Sequence, residues 1–117
     1  MTREEFRERY SSCFSEDYWG LEIGDGWINL LKPVMEFVLS YNQTNPEEDH
    51  IKISQIKSKF AGLRIYYDSH NEDFEKVIEE AEKKADVTCE NCGKDGKLRG
   101  RGWIYIACDE HDRERKQ

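Results

Sequence analysis

The chain has 117 residues, of which 37% are hydrophobic and 37% charged, and its formal net charge is −7. This length predicts one compact domain with a small core, and no apolar run approaches the roughly 20 residues of a membrane helix. The N-terminus is charged from its third residue, unlike a secretory signal. We therefore expect a cytoplasmic protein with reduced thiols and no membrane partner.

The charges are unevenly distributed along the chain. Residues 1–49 carry 11 acids and 4 bases, and residues 68–90 carry 9 acids and 3 bases. Residues 50–67 carry 4 bases and no acid, and residues 91–108 carry 4 bases and 1 acid. Two basic islands thus lie in an acidic chain, and they are either solvated surface or an interface.

Apolar periodicity predicts three helices, at residues 3–13, 27–41 and 71–85. Thr2 opens a T-x-x-E capping box before the first helix, and Cys13 lies on its apolar face. The second helix is the most apolar, and Pro33 inside it predicts a kink or a restart. A polar loop is expected to follow at residues 42–49.

Residues 51–68 combine two patterns. Ile53, Ile56 and Phe60 have helical spacing, which predicts a short helix that begins near Ser54. Gly62 suits the position after that helix, where φ is positive. The alternation in residues 63–67 predicts a half-buried strand, with Arg64 and Tyr66 on its outer side.

The C-terminal quarter contains a metal-ligand pattern. A C-x₂-C pair and a C-x₂-H pair lie fifteen residues apart, at Cys89, Cys92, Cys108 and His111. This is the spacing of a zinc ribbon with one ligand changed to histidine. Zinc takes four sulfur or nitrogen ligands in a tetrahedron. Four protein ligands close the shell, so we predict one structural Zn²⁺.

The segment between the two ligand pairs predicts a hairpin. Asp95-Gly96 is a turn signal and residues 103–107 suit a strand, while Gly93 can adopt the positive φ of a metal knuckle. The predicted fold is α+β, with N-terminal helices packed on a small antiparallel sheet that joins the strand at 63–67 to the hairpin. We expect a single domain over 1–117, with a core at 1–86 and a zinc-ribbon subdomain at 87–112.

Four stretches together resemble one family of small, mostly uncharacterised proteins of bacteriophages and prophages. They are the GW at residue 26, IKSKFAGLRIYY, EEAEKKADVTCENCG and GWIYIACDEH. The resemblance spans roughly residues 26–111, and Ala61 stands where the family has the first of two glycines. It implies a phage accessory protein and supplies no activity.

Three functions are compatible with these observations. The first is a protein that binds and modulates or inhibits a host protein, as a counter-defence (anti-CRISPR-like or other) or transcription modulator. The second is a zinc-ribbon nucleic-acid binder, and the third binds or hydrolyses a small nucleotide. No catalytic motif is present, so we predict no enzyme. The predicted partner-binding residues are Arg64, Tyr66, Lys97, Arg99, Arg101 and Trp103.

Overall fold

The computed structural model describes residues 1–16, 18 and 20–115, apart from the side chains of residues 114 and 115. The predicted α+β class is confirmed. In chain order the elements are α1 (Arg3–Tyr10), β1 (Leu21–Glu22), α2 (Lys32–Thr44), β2 (Ile53–Lys59), β3 (Gly62–Tyr67), α3 (Glu72–Ala85), β4 (Lys97–Arg99), β5 (Tyr105–Ala107) and α4 (Asp109–Arg115).

The first helix forms as predicted. The Thr2 side chain accepts a hydrogen bond from the Glu5 backbone N–H, and the Glu5 carboxylate accepts one from the Thr2 N–H. This reciprocal pair satisfies two of the free N–H groups at the helix start. A 3₁₀ turn over Ser11–Cys13 extends the helix. Phe6, Tyr10 and Cys13 are fully buried, so α1 is held by its apolar face.

The second helix restarts at the proline, as predicted. Two 3₁₀ turns, Asp25–Trp27 and Asn29–Leu31, precede α2, and Pro33 lies in the first turn of α2. A proline is tolerated there because the first N–H groups of a helix have no partner within it. Helix α2 runs on to Thr44, so the predicted loop begins three residues later than expected.

The helix predicted near Ser54 is wrong, because these residues form strand β2. The strand pairs antiparallel with β3 and parallel with β1, giving the sheet order β1-β2-β3. The register shifts between Ile53 and Gln55, and a bulge of this kind changes which residues share a face. Ile53 and Ile56 are therefore both buried, although a regular strand would separate them and their spacing imitates a helix.

A two-residue turn joins β2 to β3, and the prediction of a positive φ at Gly62 is wrong. The positive values belong to Phe60 (φ 51°) and Ala61 (φ 65°). A tight hairpin turn of this type needs positive φ at both central residues. Two side-chain-bearing residues thus occupy positions that favour glycine or asparagine.

Ala61→Gly is therefore expected to stabilise the protein by about 1 kcal/mol, because glycine adopts positive φ without the steric cost that alanine has. Urea unfolding measures this change. Ala81→Gly is the matched control in α3 and is expected to destabilise by about 1 kcal/mol, since glycine is unfavourable inside a helix. Destabilisation by both variants would contradict the account of the turn.

The predicted helix at 71–85 is confirmed as α3. The Asn71 side chain accepts a hydrogen bond from the Phe74 N–H and caps the helix. Its buried residues are Phe74, Ile78, Ala81 and Ala85. Helix α3 packs on α2 and β3, so it closes the core on one side of the sheet.

The C-terminal hairpin forms a two-stranded sheet of its own from β4 and β5. The expected pairing of the 63–67 strand with this hairpin is wrong, although that strand itself is confirmed as β3. The hairpin turn lies between Arg99 and Tyr105 rather than at Asp95-Gly96, where Asp95 bridges to Thr88 instead. The hairpin still joins the main core, because Ile106 packs among the buried residues of the helices.

Candidate metal centre and binding groove

The four predicted ligands come from three pieces of structure. Cys89 and Cys92 lie on the loop after α3, Cys108 follows β5, and His111 lies in the first turn of α4. Helix α4 was not predicted. His111 follows Cys108 by three residues, so the first turn of α4 brings its imidazole next to the Cys108 sulfur.

The ligand atoms of these four residues all lie within 4.8 Å of one another. The Sγ atoms of Cys92 and Cys108 are 3.8 Å apart, and His111 Nδ1 lies 3.6 Å from Cys89 Sγ and 3.1 Å from Cys108 Sγ. A tetrahedral centre with metal–sulfur bonds of about 2.3 Å has sulfur–sulfur edges of about 3.8 Å. The spacing of the Cys92 and Cys108 sulfurs thus matches one edge of such a centre, and none of these cysteines forms a disulfide.

The surroundings favour the thiolate at Cys89 and Cys108 but not at Cys92. Burial raises the pKa of Cys89, but three backbone N–H groups, from Cys108, Cys92 and Asn91, outweigh it and lower the pKa to about 6. The backbone N–H of His111 is the main cause of the lowered pKa of Cys108. A nearby backbone N–H lowers the pKa of Cys92, yet burial and the other two sulfurs raise it overall. A bound cation would relieve this crowding of negative charge.

The loop at residues 88–93, which carries Cys89 and Cys92 and which we call the metal knuckle, packs against residues 24–27. Gly93 has φ +83°, which confirms the positive φ predicted there. The Gly26 N–H donates to the Glu90 carbonyl at 2.7 Å, and the Trp27 indole N–H donates to the Thr88 carbonyl at 2.8 Å. The knuckle is thereby attached to the body of the protein on a side that glycine alone can approach.

Arg99 connects α4 to the hairpin through hydrogen bonds. The sequence did not indicate this structural role. Its guanidinium donates to the Ala107 carbonyl (3.2 Å), to Asp112 (3.3 Å) and to Asp109 (2.6 Å). Asp112 is only 5% exposed and also accepts a hydrogen bond from the Tyr105 hydroxyl at 2.8 Å. These bonds hold the helix that carries His111 beside the strand that leads to Cys108.

Arg99→Ala is therefore expected to speed removal of bound metal by a chelator about tenfold, since groups that orient metal ligands commonly affect affinity by 10- to 100-fold. The matched control is Arg101→Ala, which removes an exposed guanidinium two residues away. The two variants are compared by the rate of metal transfer to a coloured chelator. Equal rates would show that Arg99 does not position α4.

The six predicted partner-binding residues fall on two different faces. Lys97 and Arg99 line a small hollow together with Asp109, and Arg99 is largely covered. Trp103 lines a groove between the two hairpin turns, and Arg64 lines a hollow that adjoins this groove. Arg101 is exposed beside Trp103, and Tyr66 is exposed on the same strand face as Arg64. The six residues therefore do not form one surface, because alternate residues of β4 point to opposite faces.

We call the groove lined by Trp103 the two-hairpin groove. It is defined by Phe60 and Ala61 from the β2–β3 turn and by Trp103 and Ile104 from the β4–β5 turn. It has a volume of ≈ 440 Å³, and a second hollow lined by Leu98 and Ile106 adjoins it at Phe60, Ala61 and Ile104. Trp103 is 80% exposed and Phe60 is 76% exposed. The sequence did not identify Phe60 as a surface residue, because its spacing from Ile53 and Ile56 predicts the apolar face of a helix.

The chain matches no protein-family model, and comparison with the curated proteins and with the solved structures found no match. Within the described residues, no helix combines the length and the apolar character needed to cross a membrane. The fold and the site define an α+β protein with a Cys₃His cluster that is compatible with metal binding.

Proposed function

We propose that this chain is a non-enzymatic phage accessory protein that binds a host protein in the bacterial cytoplasm and modulates or inhibits it. The exposed tryptophan and phenylalanine of the two-hairpin groove carry this proposal. Large exposed aromatic side chains around a concave surface are typical of binding hot spots. The proposed target is a component of host defence or transcription, as the resemblance to phage proteins implies.

In this proposal the Cys₃His centre holds one Zn²⁺ with a structural role. The donor set of three thiolates and one imidazole is one that zinc favours, and a closed four-ligand shell leaves no position for a substrate. The ion would join the knuckle, the hairpin and α4 at one point. It would thereby fix the β4–β5 turn, which is short and carries two glycines beside Trp103, in the place where the partner binds.

The two-hairpin groove also provides a specific argument for a second candidate, a single-stranded nucleic acid. Aromatic rings beside basic side chains form stacking platforms for bases, and Lys59 Nζ lies 5.7 Å from the centre of the Phe60 ring. The overall charge of −7 opposes this candidate, because attraction to phosphates dominates nucleic-acid affinity. The third candidate, a small nucleotide, has no comparable support.

A pull-down tests the proposed function. Tagged protein is incubated with nuclease-treated bacterial lysate, and the affinity of the recovered protein is then measured. Trp103→Ala and Phe60→Ala are each expected to weaken binding about tenfold or more, since hot-spot aromatics contribute upwards of 1–2 kcal/mol. Val87→Ala removes an exposed apolar side chain outside the two-hairpin groove and should bind like the parent.

Two outcomes would contradict the proposal. In the first, all three variants recover the same protein with equal affinity, which would place the interface elsewhere. In the second, lysate without nuclease yields nucleic acid and nuclease treatment removes everything that binds. The variants are first checked for parental circular dichroism and metal content, so that a loss of binding is not a loss of folding.

A further inference from the structure

We propose that Cys92 and Cys108 form a redox-sensitive pair, which hydrogen peroxide oxidises to a disulfide with release of the bound metal ion. This modification goes beyond the proposed function, since it needs neither the host partner nor the two-hairpin groove. It rests on the proposed function only for the identity of the ion, Zn²⁺. The exposure and the spacing of the cysteines in the cluster carry the proposal.

The three cysteines of the cluster differ in how far solvent reaches them. Cys89 is fully buried, Cys108 is partly exposed and Cys92 is exposed. Cys92 also lines a hollow of ≈ 440 Å³ together with Lys84 and Thr88, which gives a small peroxide room to enter. A coordinating thiol is deprotonated outright, so all three sulfurs are thiolates in the metal-bound protein. Because oxidation follows thiolate character and exposure, Cys92 is the sulfur that reacts first.

Cys108 is placed to complete the disulfide. Its sulfur lies 3.8 Å from the Cys92 sulfur, and both residues are accessible to solvent. Cys89 is the alternative partner, but its sulfur is buried and accepts hydrogen bonds from three backbone N–H groups. Turning the Cys89 sulfur toward Cys92 would break these bonds. The geometry therefore favours the pair Cys92–Cys108 over the adjacent C-x₂-C pair.

One hydrogen peroxide balances the reaction. The Cys92 thiolate attacks a peroxide oxygen, the O–O bond breaks, and a sulfenic acid and hydroxide form. The Cys108 thiolate then attacks the sulfur of that sulfenic acid, so the S–S bond forms and a second hydroxide leaves. Two protons from the solvent convert the hydroxides to water. The cysteines lose two electrons and the peroxide gains them.

Oxidation of this pair removes two of the four metal ligands. Cys89 and His111 alone would remain, and zinc sites in proteins use three or four protein ligands, so the ion would be released. The disulfide would enclose residues 93–107, which include both strands of the β4–β5 hairpin. The hairpin would thus stay closed at its base without the ion. A thiol reductant reverses the oxidation by thiol–disulfide exchange, so the response is reversible.

Peroxide treatment of the zinc-loaded, full-length protein tests the proposal. Zinc release is followed with a coloured chelator, and the protein is then alkylated, digested without reduction and mapped by mass spectrometry. Cys92→His replaces the exposed thiolate with an imidazole, which zinc also accepts as a ligand. Cys13→Ala is the matched control, because it removes a fully buried thiol outside the cluster.

The expected product is an intrachain disulfide between Cys92 and Cys108, with about one zinc ion released per disulfide. Peroxide should speed zinc release at least about tenfold over the chelator alone, both in the parent and in Cys13→Ala. Under peroxide, Cys92→His should release zinc at least about tenfold more slowly than the parent. If Cys92→His holds no zinc, the disulfide map of the parent decides alone.

The other outcomes overturn the proposal. A disulfide that includes Cys89, a disulfide between two chains, or further oxidation of Cys92 without a disulfide would each refute the pair. Zinc that stays bound under peroxide would refute it as well.

The failure of this proposal is distinguishable from the failure of the proposed function. Protein that is purified without zinc would contradict the zinc centre, and the disulfide map of the same protein would still show whether Cys92 and Cys108 pair. A pull-down that recovers no host protein would contradict the host partner and leave the redox-sensitive pair standing.

Discussion

Protein purified without added metal is expected to contain about one zinc ion per chain, and Cys89→Ser is expected to lose it. Cys89 is fully buried and its thiol has the most strongly lowered pKa of the described cysteines. A serine hydroxyl does not ionise at neutral pH and is a poor zinc ligand, so the three remaining ligands would hold the ion weakly. Elemental analysis measures the metal content of both proteins.

Loss of the ion should affect the C-terminal region first. The hairpin β4–β5 has three residues in each strand, and a lone hairpin of this size is marginal in water. Helix α2 is held by side chains that are fully buried. Apparent binding of structural zinc is on the order of 10 kcal/mol in small peptides, so we expect hydrogen exchange in residues 89–111 to speed up greatly on chelation while α2 stays protected.

Cys13→Ala is the matched control for this experiment. Cys13 is fully buried in the helical core, and burial raises the pKa of its thiol to about 11, so it is an unreactive core residue rather than a ligand. This variant should keep one zinc per chain although it loses a thiol. A metal-free parent with full protection across residues 89–111 would contradict the proposed zinc centre.

The Cys₃His cluster could be predicted because the geometry within each pair of its residues is local. Two residues between ligands determine how closely their side chains can approach, whatever the rest of the chain does. Helices α1, α2 and α3 could be predicted for the same reason, since apolar periodicity and the capping box at Thr2 act within a few residues. Strand β2 could not be predicted from the sequence. The bulge after Ile53 depends on pairing with β3, and it interrupts the alternation on which a strand prediction depends.

The proposed binding surface could not be predicted from the sequence, because it depends on the tertiary structure. Period-2 alternation shows that Leu98 and Arg99 point to opposite faces, but it does not show which face meets α4 and which meets the β2–β3 turn. Two carboxylates of α4 accept hydrogen bonds from Arg99, whereas Trp103 lines the two-hairpin groove and Arg64 lines the hollow beside it. Phe60 is exposed because it lies in the turn between β2 and β3, whereas its helical spacing from Ile53 and Ile56 predicts a buried position.

Gly26→Ala is expected to destabilise the protein by about 1–3 kcal/mol, the range for inserting an atom where the structure is already filled. A Cβ atom at this position would lie 2.6 Å from the Gly93 nitrogen and 2.7 Å from the Glu90 carbonyl carbon, and closer still to the Cys89 carbonyl oxygen. All three neighbours are backbone atoms of the metal knuckle. Real Cβ atoms essentially never approach heavy atoms this closely.

The knuckle cannot easily move aside to accommodate that atom. The Gly93 N–H donates to the Cys89 carbonyl at 2.9 Å, and the Gly26 N–H donates to the Glu90 carbonyl at 2.7 Å. A shift that relieves the clash would stretch these bonds and displace the sulfur of Cys89. We therefore expect the variant both to unfold at a lower urea concentration and to release its metal to a chelator faster than the parent.

Gly62→Ala supplies the matched control, since its added Cβ would come no closer than 3.4 Å, an ordinary van der Waals contact, to the Lys59 carbonyl oxygen. Its φ is not positive, so alanine is not strained there and stability should change by less than about 0.5 kcal/mol. Urea unfolding compares the three proteins, and chelator transfer compares their metal retention. Parental stability and metal retention in Gly26→Ala would show that the knuckle is not packed against residues 24–26.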